Sequence, residues 1–243
     1  MPAQFDDAVA AYPLIGAYSS DLSGGEVNQA GEVTYLGVGA GRGGRGALLG
    51  PRAAELTDKI PADISFLWTD VDAPAAVRNS GMNDLGDWYW LACRGRVEPA
   101  PGTEYVQPLD ISTEDLQEVQ DRCNPNTHVR PGDEGLTWWG YHHPDGTIAG
   151  LCALLIPPQD NNGPLRYAGL ELAGLGVDPT YRRQGIGAAM MSAITAWGLA
   201  RFSCVHYGVW PDNEGALRIY YRLGYRQEQH VRGWAPMPLG SLQ

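Results

Sequence analysis

The sequence predicts a mixed α/β fold, and three observations carry that expectation. An apolar stretch ending at Val177 passes through a glycine-bearing turn into a segment whose apolar residues, Ile186, Met190, Ile194 and Trp197, recur every three or four positions. Residues 138–142 and 147–156 read as strands on either side of Pro144-Asp145-Gly146, a hairpin signal. From residue 105 onward the order is helix, hairpin, strand, helix, strand, helix, strand, a mostly antiparallel central sheet with flanking helices.

In the first hundred residues, 34–38, 47–49 and 64–68 are expected as strands, with a helix over 52–59 between the last two. They make a smaller N-terminal α/β region, residues 1–104. Gly39-x-Gly41-x-x-Gly44 has the letters of a dinucleotide fingerprint. A strand follows it where the fingerprint requires a helix, so it reads as a surface turn. Prolines 99, 101 and 108 interrupt any regular element and suggest a boundary, dividing the chain into 1–104, 105–235 and a tail, 236–243. Ser112, with Asp115 three residues on, caps a helix whose apolar face is Leu116, Val119 and Cys123, ended by Pro125. A polar loop spans 124–135. The remaining expected elements are strand 165–177, helix 185–200, strand 204–210, helix 214–223 and strand 227–231.

At 243 residues and 44% hydrophobic, the chain can bury a substantial core. Lys and Arg total 17 against 28 Asp and Glu, a formal charge of −11, which opposes nucleic-acid binding and suits an amine-bearing partner. The start of the chain has no basic signal region, and the longest apolar run, 148–156, falls far short of a span, so a cytoplasmic protein with no membrane partner is expected. Cys93, Cys123, Cys152 and Cys204 are widely spaced and read as reduced core thiols. His142-His143 is no metal pair, because neighbours on a strand face opposite ways, and no metal is expected.

The turn from Gly176 to Gly187 is where chemistry is expected. A helix that starts at its glycines offers backbone N–H groups without intrahelical partners, at the positive end of the helix dipole, so main chain alone can hold an anion. The order Val177, then Arg182-x-x-Gly185-x-Gly187, resembles the acyl-CoA pyrophosphate loop of the GNAT superfamily of N-acetyltransferases. Downstream, Asn213-x-x-Ala216-x-x-Ile219-Tyr220-x-x-x-Gly224-Tyr225 is similar to the family's second cofactor segment. The two motifs cover about 165–226, and weaker resemblance reaches back to about 105. The family's second N-terminal helix is not evident, and the 124–135 loop stands in its place. Residues 1–104 are either a degenerate second half of the same kind, as in tandem members, or an extension.

The resemblance implies acetyl-CoA, or another short acyl-CoA, as cofactor. It assigns Leu175, Gly176 and Val177 as main-chain contacts to the pantetheine arm, and Arg182, Arg183, Gln184, Gly185, Ile186, Gly187 and Ala188 to the pyrophosphate. Asn213 caps the next helix or binds the cofactor arm. Tyr220 stands where the family places a tyrosine facing the thioester sulfur. A phenol with a reference pKa of about 10 stays protonated at neutral pH and can act as general acid, the alternative being a packed helix aromatic. Glu171 is ionisable in an otherwise apolar strand and stands where some members carry a catalytic glutamate; it is the candidate general base, against a structural or substrate-binding role. His206 is the runner-up base. For the acceptor, Asp133, Glu134, Trp138 and Trp210 are candidates to hold and wall a cation, against a solvated loop beside core aromatics. The expected activity is transfer of an acetyl group to a primary amine of a small molecule through a ternary complex. An acyl-CoA-binding regulatory module without turnover is the competing reading, and a homodimer is the protein assembly kept open.

Overall fold

The computed structural model describes residues 2–22, 26–29, 33–38, 44–157 and 167–236. Residues 39–43 of the glycine-rich turn, the start of the expected 165–177 strand and residues 237–243 lie outside them.

The chain opens with helices α1 (Pro2–Ala11), α2 (Pro13–Ala17) and α3 (Ser19–Leu22), followed by strands β1 (Glu26–Gln29), β2 (Val33–Val38) and β3 (Arg45–Leu49). A 3-10 turn over Ala53–Lys59 leads to β4 (Phe66–Asp70), α4 (Ala75–Arg78) and the long β5 (Asn83–Cys93). Then come β6 (Val106–Pro108), α5 (Thr113–Cys123), β7 (Leu136–His142), β8 (Ile148–Leu155), β9 (Gly169–Val177), α6 (Ile186–Leu199), β10 (Cys204–Val209), α7 (Glu214–Arg222) and β11 (Arg226–Ala235). The expected N-cap is present: Ser112 Oγ accepts from the Asp115 N–H at 3.1 Å. The 124–135 loop forms turns and no helix.

All the strands join one sheet in the order β1-β2-β3-β4-β11-β5-β10-β9-β8-β7-β6. Apart from β6 at one edge, the order reads alike from both ends. A hairpin leads to a parallel pair, β3 with β4 on one side and β9 with β10 on the other, and each pair is followed by an antiparallel central strand. Those central strands are exchanged. β11, from the end of the chain, pairs with β4, while β5, from the first hundred residues, pairs with β10, and the two run antiparallel to each other. Residues 105–235 therefore do not complete their sheet alone: β5 lies between their last two strands.

β5 was not legible as a strand because its start carries Asn83, Asp84, Gly86 and Asp87 and its last four residues are buried on both faces. Leu91 and Cys93 face the core beneath α6 and α7, and Trp90 and Ala92 face the core beneath α1–α3, so the period-two signal of a half-buried strand is missing. The expected helix over 52–59 is the 3-10 turn. The proline segment at the suggested boundary is ordered against α6, where Ser192 Oγ donates to Glu98 O and accepts from the Ala100 N–H.

The sheet curls strongly. Arg45 on β3 and Glu171 on β9 are five strand positions apart, about 24 Å along a flat sheet, yet their charged atoms lie 3.9 Å from each other. α1–α3 fill one end of the concave face, with Leu14, Ile15, Tyr18 and Leu22 against Trp68, Trp90 and Val231. All four cysteines are buried and free. Among the described residues no helix is long and apolar enough to cross a membrane.

The exchange predicts cooperative unfolding. Leu91 has no exposed surface and sits on the central strand. Leu91→Ala should cost about 2–5 kcal/mol and lower a single calorimetric transition for the whole chain; two transitions, only one of them shifted, would contradict the interlock.

Candidate active site

β9 and β10 pair in parallel from Gly169 with Cys204 to Leu172 with Tyr207, and then part. The cause lies on β9. Ala173 pairs with Ala153 and Gly176 with Leu151, so two residues of β9 face Cys152 alone, a bulge in which Gly174 takes φ +60°. A Cβ at Gly174 would also stand 2.7 Å from Val129 Cγ2 of the 124–135 loop, so glycine is required twice over. β10 turns instead to β5. Beyond the split, main-chain groups of β9 are met by side chains: Asn124 Nδ2 donates to Leu175 O at 3.3 Å, Arg182 Nε donates to Val177 O at 3.2 Å, and the Tyr207 hydroxyl lies near the Leu175 N–H. Leu175, Gly176 and Val177, expected as cofactor contacts, thus line an open notch between two strands.

The notch leads into the glycine turn. Asp178 caps a short 3-10 turn by accepting from the Thr180 N–H at 2.9 Å, and Arg122 holds its other oxygen at 3.3 Å. Arg183 then takes φ +65° and Gly185 φ +84°, and Gly185 is the N-cap of α6 with no side chain capping it. The N–H groups of Ile186, Gly187 and Ala188 have no intrahelical partner, and successive left-handed residues turn the preceding N–H groups into a concavity. Arg182, Arg183 and Gln184 stand exposed beside it. A 14-residue helix with a bare N-terminus fits a phosphate-type anion.

The other half of the sheet carries the corresponding turn with the opposite chemistry. After β3, Gly50 donates its N–H to Asp70 Oδ2 at 2.7 Å, beside a cavity of about 390 Å³ lined also by Asp72, Tyr12 and Leu48. A carboxylate already takes the N–H that an anion would need, and burial pushes its pKa up. Two acidic side chains repel pyrophosphate there.

On the face of α6 and α7, Tyr220 is buried, its ring 5.4 Å from that of Tyr207 and 5.9 Å from that of Tyr225. Burial, first, then the neighbouring Tyr207 phenol, raises Tyr220 well above the ordinary tyrosine value. Its proton is retained. Asn213 caps α7, Oδ1 accepting from the Ala216 N–H at 3.2 Å. Cys152 lies at the bulge, fully buried, its thiol pushed up to about 12, so at neutral pH it is no nucleophile.

Glu171 lies on the opposite, concave face, near the apex of the split, since it pairs with His206 one step before the last pair. Its carboxylate faces Arg45 at 3.9 Å, and His128 of the 124–135 loop feels both charges. His206 is packed between Tyr18 and Trp90, with ring centroids 4.9 and 5.4 Å away. Burial lowers its pKa to about 3 and neither ring nitrogen has a hydrogen-bond partner, so it is a neutral core residue and not a base.

The expected acceptor residues are not brought together. Trp138 is buried beneath α5 with Leu116, Val119 and Ala173, a correction to its reading as a pocket wall, because its strand face is covered by that helix. Asp133 accepts from the Arg130 N–H at 2.7 Å within its own exposed turn, and Glu134 is exposed beside it. Trp210 is 43% exposed and stacks on Trp88 at 4.6 Å. Sequence reasoning missed Arg45, Trp88, Tyr207 and His128. Only the curl of the sheet and the exchange of β5 bring the first two to this end, and neither leaves a local signal.

Residues 88–225, more than half of the chain, match the model of the acetyltransferase (GNAT) family. An uncharacterised N-acetyltransferase of Methanocaldococcus jannaschii is 34% identical over 68 residues, 28% of this chain and 30% of that protein. A mycothiol acetyltransferase of Salinispora arenicola is 37% identical over 83 residues, 34% of this chain and 24% of that protein. The matched stretches thus span less than a third of either relative. Among solved structures, a GCN5-related N-acetyltransferase from Kribbella flavida has a TM-score of 0.53 at 18% identity, covering 95% of each chain. A GNAT-family protein from Novosphingobium aromaticivorans has a TM-score of 0.53 at 17% identity, also covering 95% of each. These two share the fold.

Gly187 gives a clean test of the anion site, because a Cβ there meets nothing nearer than Val177 Cγ2 at 3.8 Å. Gly187→Glu should fold normally, since a carboxylate in the first turn favours the helix, and should weaken CoA binding by about 100-fold or more through repulsion of the pyrophosphate. Unchanged affinity by calorimetry would remove the assignment.

Proposed function

The chain belongs to the acetyltransferase (GNAT) family, and on that premise we propose that it transfers an acetyl group from acetyl-CoA to a primary amine of a small molecule, directly and without a covalent enzyme intermediate. The observation that carries the reading is the notch: a split between parallel strands that runs from a bare helix N-terminus to a buried phenol on one face and a carboxylate on the other.

Acyl-CoA, when bound, supplies the acyl group as a thioester, with a carbon open to an amine and a thiolate in need of a proton. The N–H groups of residues 183–188 and the guanidinium groups of Arg182 and Arg183 hold the pyrophosphate. Leu175 and Val177 offer their main chain to the pantetheine arm once Asn124 and Arg182 release it. Glu171 takes a proton from the ammonium of the acceptor, directly or through water, leaving the lone pair free. Tyr220, kept protonated by burial, gives its proton to the departing sulfur, and the proton that the nitrogen sheds on becoming an amide passes to solvent while Tyr220 regains one; the Tyr207 ring packs against that of Tyr220 and holds it in place. Direct transfer is favoured because Cys152, the cysteine at the bulge, holds its proton.

Tyr220→Phe should leave CoA binding unchanged and lower kcat by about 10- to 1,000-fold, measured by thiol release. Equal turnover returns Tyr220 to the core. Because burial raises Tyr220, its protonated form persists through the ordinary tyrosine value of about 10, so wild-type kcat should show no alkaline limb from this residue below that pH. CoA binding without thiol release for any amine would favour a regulatory module instead.

A further inference from the structure

We propose that the acceptor is an amino-carboxylate zwitterion, seated in the cleft between the two halves of the sheet with its ammonium at Glu171 and its carboxylate at Arg45. This rests on the acyl-transfer reading above and names the substrate class of that site.

The cleft is the open end of the concave face. β10 and the residue after it direct His206, Gly208 and Trp210 to that face in turn: His206 is buried beneath Tyr18, Trp210 is exposed just past the strand, and Gly208 between them is exposed near the strand's end. Among the described residues nothing stands within 4 Å of where a Cβ of Gly208 would be, so packing does not require the glycine and it can floor an acceptor site. Trp210 stacks on Trp88, whose ring is 6.4 Å from that of Phe66, and Phe66 packs on Trp68 at 4.7 Å. This aromatic wall belongs mostly to β4 and β5, elements of the first hundred residues. It ends at Arg45, whose guanidinium lies 6.0 Å from the Trp68 ring centroid and faces Glu171 across the cleft.

The Arg45–Glu171 pair is not a closed salt bridge. At 3.9 Å the two groups are beyond hydrogen-bond distance, their side chains keep 29% and 23% of their surface exposed, and no other hydrogen bond to either side chain is present among the described residues. The guanidinium therefore offers its planar fork of donors unused, next to the carboxylate assigned to receive a proton from the amine.

That placement selects among amines. A guanidinium this close to the proton acceptor repels a bare ammonium and disfavours polyamines and aminoglycosides, which bring positive charge and no anion. An acceptor with a carboxylate on the carbon that bears the amine reverses the balance: the carboxylate meets the Arg45 fork, the ammonium meets Glu171, and four charges alternate in sign. The N-terminal half then has a role in specificity, because it supplies the anion anchor and the wall while the rest of the chain supplies the notch.

The test uses the full chain with acetyl-CoA and matched acceptors: L-α-amino acids, their amides and their decarboxylated amines, followed by thiol release. Wild type should favour the best amino acid over its amide and its amine by at least about tenfold in kcat/KM, the scale of losing one charge-assisted contact. Arg45→Gln should erase that preference by raising KM for the amino acid at least about tenfold while KM for its amide does not rise, and Arg45→Lys should restore part of it. Gly208→Leu, which fills the floor, should abolish acceptor turnover while CoA affinity stays unchanged by calorimetry. Preference for amines lacking a carboxylate, release with no amino acid, or an amino-acid preference untouched in Arg45→Gln would each overturn the proposal. Failure of wild type to bind CoA would instead bring down the acyl-transfer reading beneath it.

Discussion

Everything at the site depends on one interruption of hydrogen bonding, the parting of β9 from β10 after Leu172 and Tyr207. Interior strands normally satisfy each other, and a split leaves main-chain groups that must find partners. Here the split is forced by an extra residue on β9, made possible by left-handed Gly174 and held open because β10 commits its other edge to β5. The groups freed on β9 are met by Asn124 and Arg182, side chains that can withdraw, whereas a third strand could not. The same split separates two chemistries. One face carries a buried phenol that keeps its proton; the other carries a carboxylate open to solvent.

The exchange of β5 and β11 makes the two halves one object. Ion pairs cross it, Arg94 with Glu228 at 3.0 Å and Arg232 with Asp84 at 3.3 Å, but such partly exposed pairs contribute little. Burial of Leu91, Trp90 and Val231 on the two strands contributes more. Curling this joined sheet brings β3 to within reach of β9, so Arg45 faces Glu171. The two crossover turns have diverged in charge: the one after β9 presents bare N–H groups and arginines, and the one after β3 presents Asp70 and Asp72. The first suits a pyrophosphate and the second opposes one, so the proposed cofactor site falls at only one of the two turns.

What was legible in the sequence was local. The turn from Gly176 to Gly187, the caps at Ser112 and Asn213, the hairpin at Pro144-Asp145-Gly146 and the buried stripe of α6 all depend on neighbours within a few positions, and each formed as expected. The placement of Glu171 beside the split and of Tyr220 on the far face followed from those elements. Strand β5 was missed because its start is polar and apolar residues on both faces of its end erase alternation, and α1 because its alanines give only a weak apolar stripe. Trp138 and Trp210 looked equivalent in sequence, yet α5 covers one and leaves the other at the cleft mouth. Arg45 carries no local signal of any kind; its meeting with Glu171 is a consequence of topology and curvature alone.

The most direct test of the account is a crystal structure of the full chain with CoA. The account predicts pyrophosphate oxygens about 2.7–3.2 Å from main-chain N–H groups of residues 183–188, Leu175 O released from Asn124, and the thiol lying in the split with Tyr220 on one side and the Glu171 cleft on the other. Pyrophosphate bound at the Asp70 cavity, or a thiol outside the split with Asn124 still bonded to Leu175, would contradict it.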